Sequence, residues 1–469
     1  MSQIHEIKNI SGLRQLTHGL GMIREIAIAN FKSIGREARL ELRPLTLLFG
    51  RTGSGKSNIL EAIWRLAQLI VIQWPIDRLY QIPPSYPSEE MIFHMRDTKR
   101  TLLIEFHVKP PEGELIKLNE LAKPIGKKIS EDDTIGWRIT YGYSFGCSQG
   151  VFIDKNLIVE IKSACRDGRW ERPVVCTPKG FEDVRVGDPM DLRSRIFSAV
   201  RDHPKNSEYK PFSDLGNRIA EIVKGHLADY KNRVSKVALL APFRGKVPFR
   251  VVLKSEKSKG TPSEVGLEGE NLMEILFLMA GSRRYRDNWV AVRRWARRLG
   301  VADLTAGPHE RIEELGLDYL DTIFKTVLDV AMASHGMRQA LTMIAQLFWP
   351  EQTVVLIEEP EISLHPEAVA MLPLMFYDAI RMGKQIIATT HSPILPLALS
   401  RMVERAREDG LIKDASELIA VYEVYKSPEG TRVKRLPLDE WGYIEGYVPS
   451  FFEVETELLK EWERRLPSG

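Results

Sequence analysis

Gly50-Arg51-Thr52-Gly53-Ser54-Gly55-Lys56-Ser57 reads G-x-x-x-x-G-K-S. The apolar run Leu45-Thr46-Leu47-Leu48-Phe49 before it predicts a buried strand. Ile59, Ala62, Ile63, Leu66 and Ile70 after it recur at helical spacing. Strand, glycine loop and helix are the context in which this motif cradles phosphate. The glycines let backbone N–H groups turn inward onto phosphate oxygens. Lys56 adds a point charge for the β- and γ-phosphates, Ser57 offers a hydroxyl to Mg²⁺, and the helix N-terminus favours the anion.

Around this loop, Arg24–Ala29 and Arg39–Leu42 read as strands, and the helix after the loop runs to about Ile72. Pro75, Pro83, Pro84 and Pro87 mark an irregular connection. From Lys99 to Val186 the pattern is strand-like, with Leu102, Ile104, Phe106 and Val108 alternating. The Lys-, Glu- and Pro-rich stretch Pro110–Asp133 reads as a surface excursion. Asp191–Lys236 is helical and charged, and Val237–Leu240 is a buried strand. Helices follow from Gly269 to Arg298, and Leu317–Val330 and Gly336–Phe348 are two more candidates. Glu367–Met382 is a helix between two strands, Leu418–Tyr425 is sheet-like, and Phe451, Val454, Leu458 and Trp462 form a terminal stripe.

Thr353-Val354-Val355-Leu356-Ile357-Glu358-Glu359-Pro360 is an apolar strand ending in two carboxylates. In a parallel sheet the C-terminal end of such a strand lies beside the phosphate loop. Glu358 then joins the Mg²⁺ shell, and Glu359 orients or deprotonates an attacking water. Gln385–Thr389 is the next strand, and His391, 32 positions after Glu359, stands beyond its end, within reach of a γ-phosphate. Ser334 and Gly336 open the helix Met337–Phe348 and make a second anion site at its N-terminus.

The order and spacing of these pieces resemble the ABC-type ATPases. Ser334-His335-Gly336-Met337-Arg338-Gln339 stands as the signature, without its usual leucine and second glycine, and Ser363-Leu364-His365-Pro366 stands as the D-loop. Ile28–Ile34, Gly55–Ala62 and Ile357–Pro366 are similar to the SMC, RecF and OLD branch. Gly266–Ile275 and Tyr447–Glu457 look like parts of its stand-alone archaeal and bacterial ATPases. The implied fold is α/β: an ABC-type head with a mixed or antiparallel β lobe, a central parallel sheet and an inserted helical region.

The expected division is an extension at 1–21, a first lobe at 22–190, a helical, basic insertion at 191–330 and a second lobe at 331–469. The extension reads either as an appended arm or as sequence upstream of an alternative start at Met22. The resemblance implies ATP and Mg²⁺ as cofactors, with two protomers sandwiching two ATP molecules. Gly50, Gly53, Ser54, Gly55, Lys56, Ser57 and Asn58 would hold each nucleotide, Lys32 and Ser33 would lie near its phosphates, and Ser334 and Gly336 would reach it from the other subunit. Glu359, His391 and Lys56 would carry the chemistry, and Gln81 and Gln149 are both candidates for the Q-loop glutamine.

Of 469 residues, 43% are hydrophobic and 28% charged, as in soluble globular proteins, and the net charge of +3 decides nothing. Its distribution does. Arg283, Arg284, Arg286, Arg293, Arg294, Arg297 and Arg298 stand against Asp287 alone in residues 281–300, with Tyr285, Trp289 and Trp295 interleaved. Residues 244–259 add a second basic block with a net charge of +5. Such blocks suit a nucleic-acid backbone, although a solvated helix face with core tryptophans has the same composition.

The three cysteines form no C-x-x-C pair, and neither a signal peptide nor a transmembrane span is expected, so the reading is cytoplasmic. The 78 residues after His391 hold no D-x-D pair, so any cutting of nucleic acid would fall to a separate nuclease or effector. Two functions remain: a DNA-associated dimeric clamp in repair or defence, or a regulatory, toxin–antitoxin-type ATPase module acting on a protein.

Overall fold

The computed structural model describes residues 22–72, 76–142, 146–163, 165–166, 169–170, 174–177, 180–183, 209–229, 232–252, 262–308, 314–445, 457–462 and 464. The 1–21 extension, Lys254, Lys257 and Lys259 of the second basic block, and Phe451 and Val454 of the terminal stripe lie outside them.

Two sheets carry the fold. The first is antiparallel and eight-stranded, in the order Gly180–Asp183, Val174–Thr177, Asn156–Ser163, Gly146–Ile153, Ile135–Gly142, Leu102–Val108, Ile23–Ala29, Ala38–Glu41. The second is six-stranded, in the order Val237–Leu240, Val354–Glu358, Gln385–Thr390, Leu45–Phe49, Ile419–Ser427, Gly430–Leu436. Its first five strands run parallel and only the last is antiparallel. Leu45–Phe49 is buried along its whole length, as a strand covered on both faces must be, which explains its unbroken apolar run.

The register Leu240 to Ile357, Glu358 to Thr389 and Thr390 to Phe49 brings four strand ends to one edge. The phosphate loop, the Glu358-Glu359 pair and His391 all leave from that edge. One core lies between the two sheets and the helix Lys56–Ile72. The other covers the far face of the parallel sheet with the helices Leu272–Gly281, Arg286–Arg298, His335–Phe348 and Leu372–Arg381.

The helix expected at Leu317–Val330 is instead two strands, Glu314–Asp321 and Thr326–Asp329, paired with each other. Leu315, Leu317 and Tyr319 point inward at period two, and the Asp321 carboxylate accepts the N–H groups of Ile323 and Phe324 at 2.9 Å, turning the chain. The stretch read as a surface excursion contains the helix Glu112–Ala122, which buries Leu118 and Ala122 and is tied by Glu114 to Arg218. The helix expected over Glu367–Met382 is split into Pro366–Val369 and Leu372–Arg381, with Pro373 in the first turn of the second, where its missing N–H costs nothing. Leu399, Met402, Val403 and Ala406 form an unanticipated helix, Leu399–Glu408, although their spacing shows its face.

Candidate functional site

The loop from Gly50 wraps the N-terminus of the helix Lys56–Ile72. Lys56 is buried and folded back onto it, donating from Nζ to the carbonyls of Gly50 at 2.8 Å and Arg51 at 3.0 Å. Gly55 has φ +100, and a Cβ there would lie 2.1 Å from Thr431 Oγ1 and 2.4 Å from Ser33 Oγ, so only glycine fits. A hydrogen-bonded chain closes over it. Asn58 Nδ2 donates to Ser33 Oγ at 2.6 Å, Ser33 and Thr431 hydroxyls meet at 2.7 Å, and Thr431 donates to the Ser54 carbonyl at 2.8 Å. Thr431 was invisible to motif reading: it comes from the antiparallel edge strand 377 positions away.

Across the strand ends, Ser57 Oγ donates to Glu358 Oε2 at 2.6 Å. A hydroxyl and a carboxylate converging on one point are the hard oxygen donors that Mg²⁺ takes, so the residues fit that ion. Burial raises the Glu358 carboxyl above its ordinary range, and the Ser57 hydroxyl offsets part of that. His391 Nε2 lies 3.0 Å from Lys56 Nζ and 3.3 Å from Glu359 Oε1. Burial and the Lys56 charge hold the imidazole below its usual range, so the neutral ring accepts the lysine hydrogen. Glu359 itself has a left-handed backbone at φ +46, held by its N–H donating to the Thr389 carbonyl at 3.1 Å.

Burial pushes Lys56 down to about 8, against the opposing pull of Glu359, Glu361 and Glu358. Phosphate binding needs the charged ammonium, so nucleotide affinity should hold below that pH and fall as pH rises through it. About one unit above it, binding should take up a proton, because an incoming polyphosphate restores the charge. Calorimetry there in buffers of different ionisation enthalpy checks this, and a buffer-independent enthalpy would refute it.

Ser334 caps the helix His335–Phe348, its Oγ accepting from the Met337 N–H at 3.3 Å, and is exposed. His335 Nδ1 lies 3.3 Å from Ser363 Oγ, so the signature and D-loop segments touch within one chain. Gly336 abuts the Ser363 carbonyl, which a Cβ would approach to 2.3 Å. The turn from Glu359 to Ser363 links these segments to the Lys56 cluster.

Lys32 pairs through its ammonium with Glu61 and meets Tyr86 Oη at 2.8 Å, and its charge also acts on Glu358. Gln149 is buried in the antiparallel sheet, where its Oε1 accepts from Trp137 Nε1 at 3.0 Å, and Gln81 donates to Tyr80 Oη at 2.8 Å.

Arg244, counted above only as part of a basic block, is buried. Its guanidinium donates to the carbonyls of Ala241 at 3.1 Å, Glu358 at 2.9 Å, Glu359 at 3.3 Å and Pro360 at 3.2 Å. Burial lowers it to about 10, with Glu361 and Glu359 opposing. It belongs to the frame of the site and not to a surface footprint. The seven arginines of 281–300 differ: all are exposed, while Trp295 is buried and donates to Asp378 Oδ2 at 2.9 Å. Arg294 and Arg284 pair with Asp378 and Glu351 at 2.7 and 3.4 Å. Among the described residues, Arg283, Arg286, Arg293 and Arg297 have no carboxylate partner.

A protein-family profile described as "AAA domain, putative AbiEii toxin, Type IV TA system" matches residues 45–398. The chain is 23% identical over 398 residues to the OLD nuclease of Thermus scotoductus, covering 83% of this chain but only 63% of that relative. Among solved structures, an SMC head bound to the C-winged helix domain of ScpA matches at TM-score 0.44 and 12% identity over 89% of this chain and 98% of that one. The SMC head domain from Thermotoga maritima matches at TM-score 0.39 and 11% identity, over 89% of this chain and 99% of that one. Among the described residues no helix is long and apolar enough to cross a membrane.

Proposed function

Because the chain belongs to the AAA-domain family matched by residues 45–398, and is an ABC-type P-loop ATPase of the SMC/RecF/OLD-like group, we propose that it binds and hydrolyses ATP as a dimer and acts on DNA, with a separate effector doing any cutting. The observation that carries the hydrolytic reading is the meeting of Lys56 and His391, 335 positions apart, with Glu359 beside them. The loop amides and Lys56 would hold the phosphates. Ser57 and Glu358 would hold Mg²⁺, which would neutralise phosphate charge. Glu359 would take the proton of the attacking water, and neutral His391 would orient the γ-phosphate. The exposed Ser334, with Gly336 beside it, would reach nucleotide from a second copy, which is the arrangement the dimer reading needs.

The exposed arginines support DNA as the partner. Arg293→Glu with Arg297→Glu should weaken duplex binding and reduce the salt slope by about 2, since each phosphate contact contributes about 0.9. Fluorescence anisotropy across a salt series measures this, and an unchanged slope would remove the helix Arg286–Arg298 from any DNA footprint. A second reading, a regulatory ATPase acting on a protein, is favoured by the exposed Phe243, Phe249, Ile323, Phe324, Val327 and Met332 on the segments that lead into and flank the signature helix. DNA binding that is absent at low salt would select it.

A further inference from the structure

Glu361 lies two residues beyond Glu359 and has figured so far only as a negative charge near Lys56 and Arg244. Its Oε1 accepts three hydrogen bonds from three successive residues: Thr390 Oγ1 at 2.7 Å, His391 N at 2.8 Å and Ser392 N at 3.1 Å. The other oxygen, Oε2, is shielded from solvent and has no hydrogen-bond partner among the described residues. All of the hydrogen bonds this carboxylate accepts therefore come from the loop that carries His391, while its charge also acts on Lys56 and Arg244. Charge-assisted bonds of this kind are roughly twice as strong as neutral ones, and three of them on one oxygen fix the backbone from which the imidazole projects.

The backbone of this turn is tied as well. The Leu364 N–H donates to the Glu361 carbonyl at 3.0 Å, and the Ile362 N–H donates to the Glu359 carbonyl at 3.1 Å. Ser363, between them, touches His335 of the signature segment. Contacts therefore run without a break from the signature segment through Ser363 and Glu361 to the His391 loop.

We propose that Glu361 is a positioning residue for hydrolysis, holding His391 against Lys56 and Glu359 and relaying movement of the D-loop to it. The inference rests on the ATPase reading above. Nothing in it requires Glu361 to touch nucleotide.

The test uses the full chain and two variants, Glu361→Ala, which removes the acceptor, and Glu361→Gln, which keeps an acceptor oxygen without the charge. With loss of positioning by about an ångström costing on the order of 10²-fold, Glu361→Ala should lower kcat by that amount and Glu361→Gln by about tenfold, with any loss of ATP affinity the smaller effect in both, since Glu361 is one of three carboxylates that support the Lys56 charge. In a His391→Ala background, Glu361→Ala should cost nothing further, because the residue acts through the imidazole. Independently of turnover, the ¹³Cε1 resonance of His391, assigned by its loss in His391→Ala, should shift and broaden in nucleotide-free Glu361→Ala.

An unmoved resonance, or an equal loss of kcat in the two backgrounds, overturns the proposal. Should Glu361→Ala fail to fold, Glu361→Gln carries both readouts. If the unmodified protein hydrolyses no ATP, the ATPase reading fails separately, and the resonance alone decides whether Glu361 sets the imidazole.

Discussion

Glu359→Gln is expected to lower ATP turnover by about 10²–10⁴-fold, the range for a lost general base, while leaving nucleotide affinity within a few-fold. The substitution keeps shape and removes the proton acceptor together with its charge, one of three that support Lys56. The residue's position is set by its backbone: the left-handed turn at φ +46 depends on the bond to Thr389 and on the Arg244 clamp, neither of which a glutamine side chain disturbs. With binding intact and hydrolysis stopped, the ATP-bound dimer should accumulate, seen as a doubled mass by light scattering coupled to size exclusion. Ser334→Arg added to it should return the monomer. Ser334 is exposed and its hydroxyl caps the Met337 N–H, so the cost to the fold is the loss of a cap, about 1 kcal/mol. The cost to the dimer is a bulky cation where a phosphate must approach a helix N-terminus. A mass that stays monomeric with ATP, and is indifferent to Ser334→Arg, would leave an ATPase without the sandwich.

Arg244→Met should destabilise the protein by roughly 1–3 kcal/mol, the range for leaving buried acceptors without their donor. The methionine retains most of the apolar stem volume, so packing is not the issue. The carbonyls of Ala241, Glu358, Glu359 and Pro360 each lose the guanidinium, and only that of Glu359 keeps a second donor named above, the Ile362 N–H. The lowered urea midpoint at constant slope is the measurement. Activity should fall more steeply than stability alone requires, because those carbonyls belong to the segment that aims Glu359. A midpoint within a few tenths of the parent would mean that water or a neighbouring donor replaces the guanidinium, and the framing role would fall.

The motifs were legible because their chemistry imposes local rules. A phosphate loop needs glycines between a strand and a helix. A carboxylate that must face it needs an apolar strand ending in acid, and a capped helix needs its serine. Each of these is a constraint between residues close in the chain. Thr431 and Arg244 escaped for the opposite reason: a threonine on an edge strand and an arginine in a basic stretch look like any others until the sheet order sets them against Ser54 and Glu358. The Leu317–Val330 error has a physical cause as well. Its apolar residues fit helical spacing, and only pairing with Ala302–Pro308 and the Asp321 turn choose the extended form.

What the sequence determined by itself was therefore the glycine loop between strand and helix, the acidic strand end and the histidine beyond the next strand as separate pieces, because local backbone and side-chain chemistry is written in short stretches. Their meeting was decided only by the tertiary structure. Parallel pairing of strands remote in sequence aligns their C-terminal ends, and a buried arginine and a shielded carboxylate then hold the pieces to within hydrogen-bonding distance of one another.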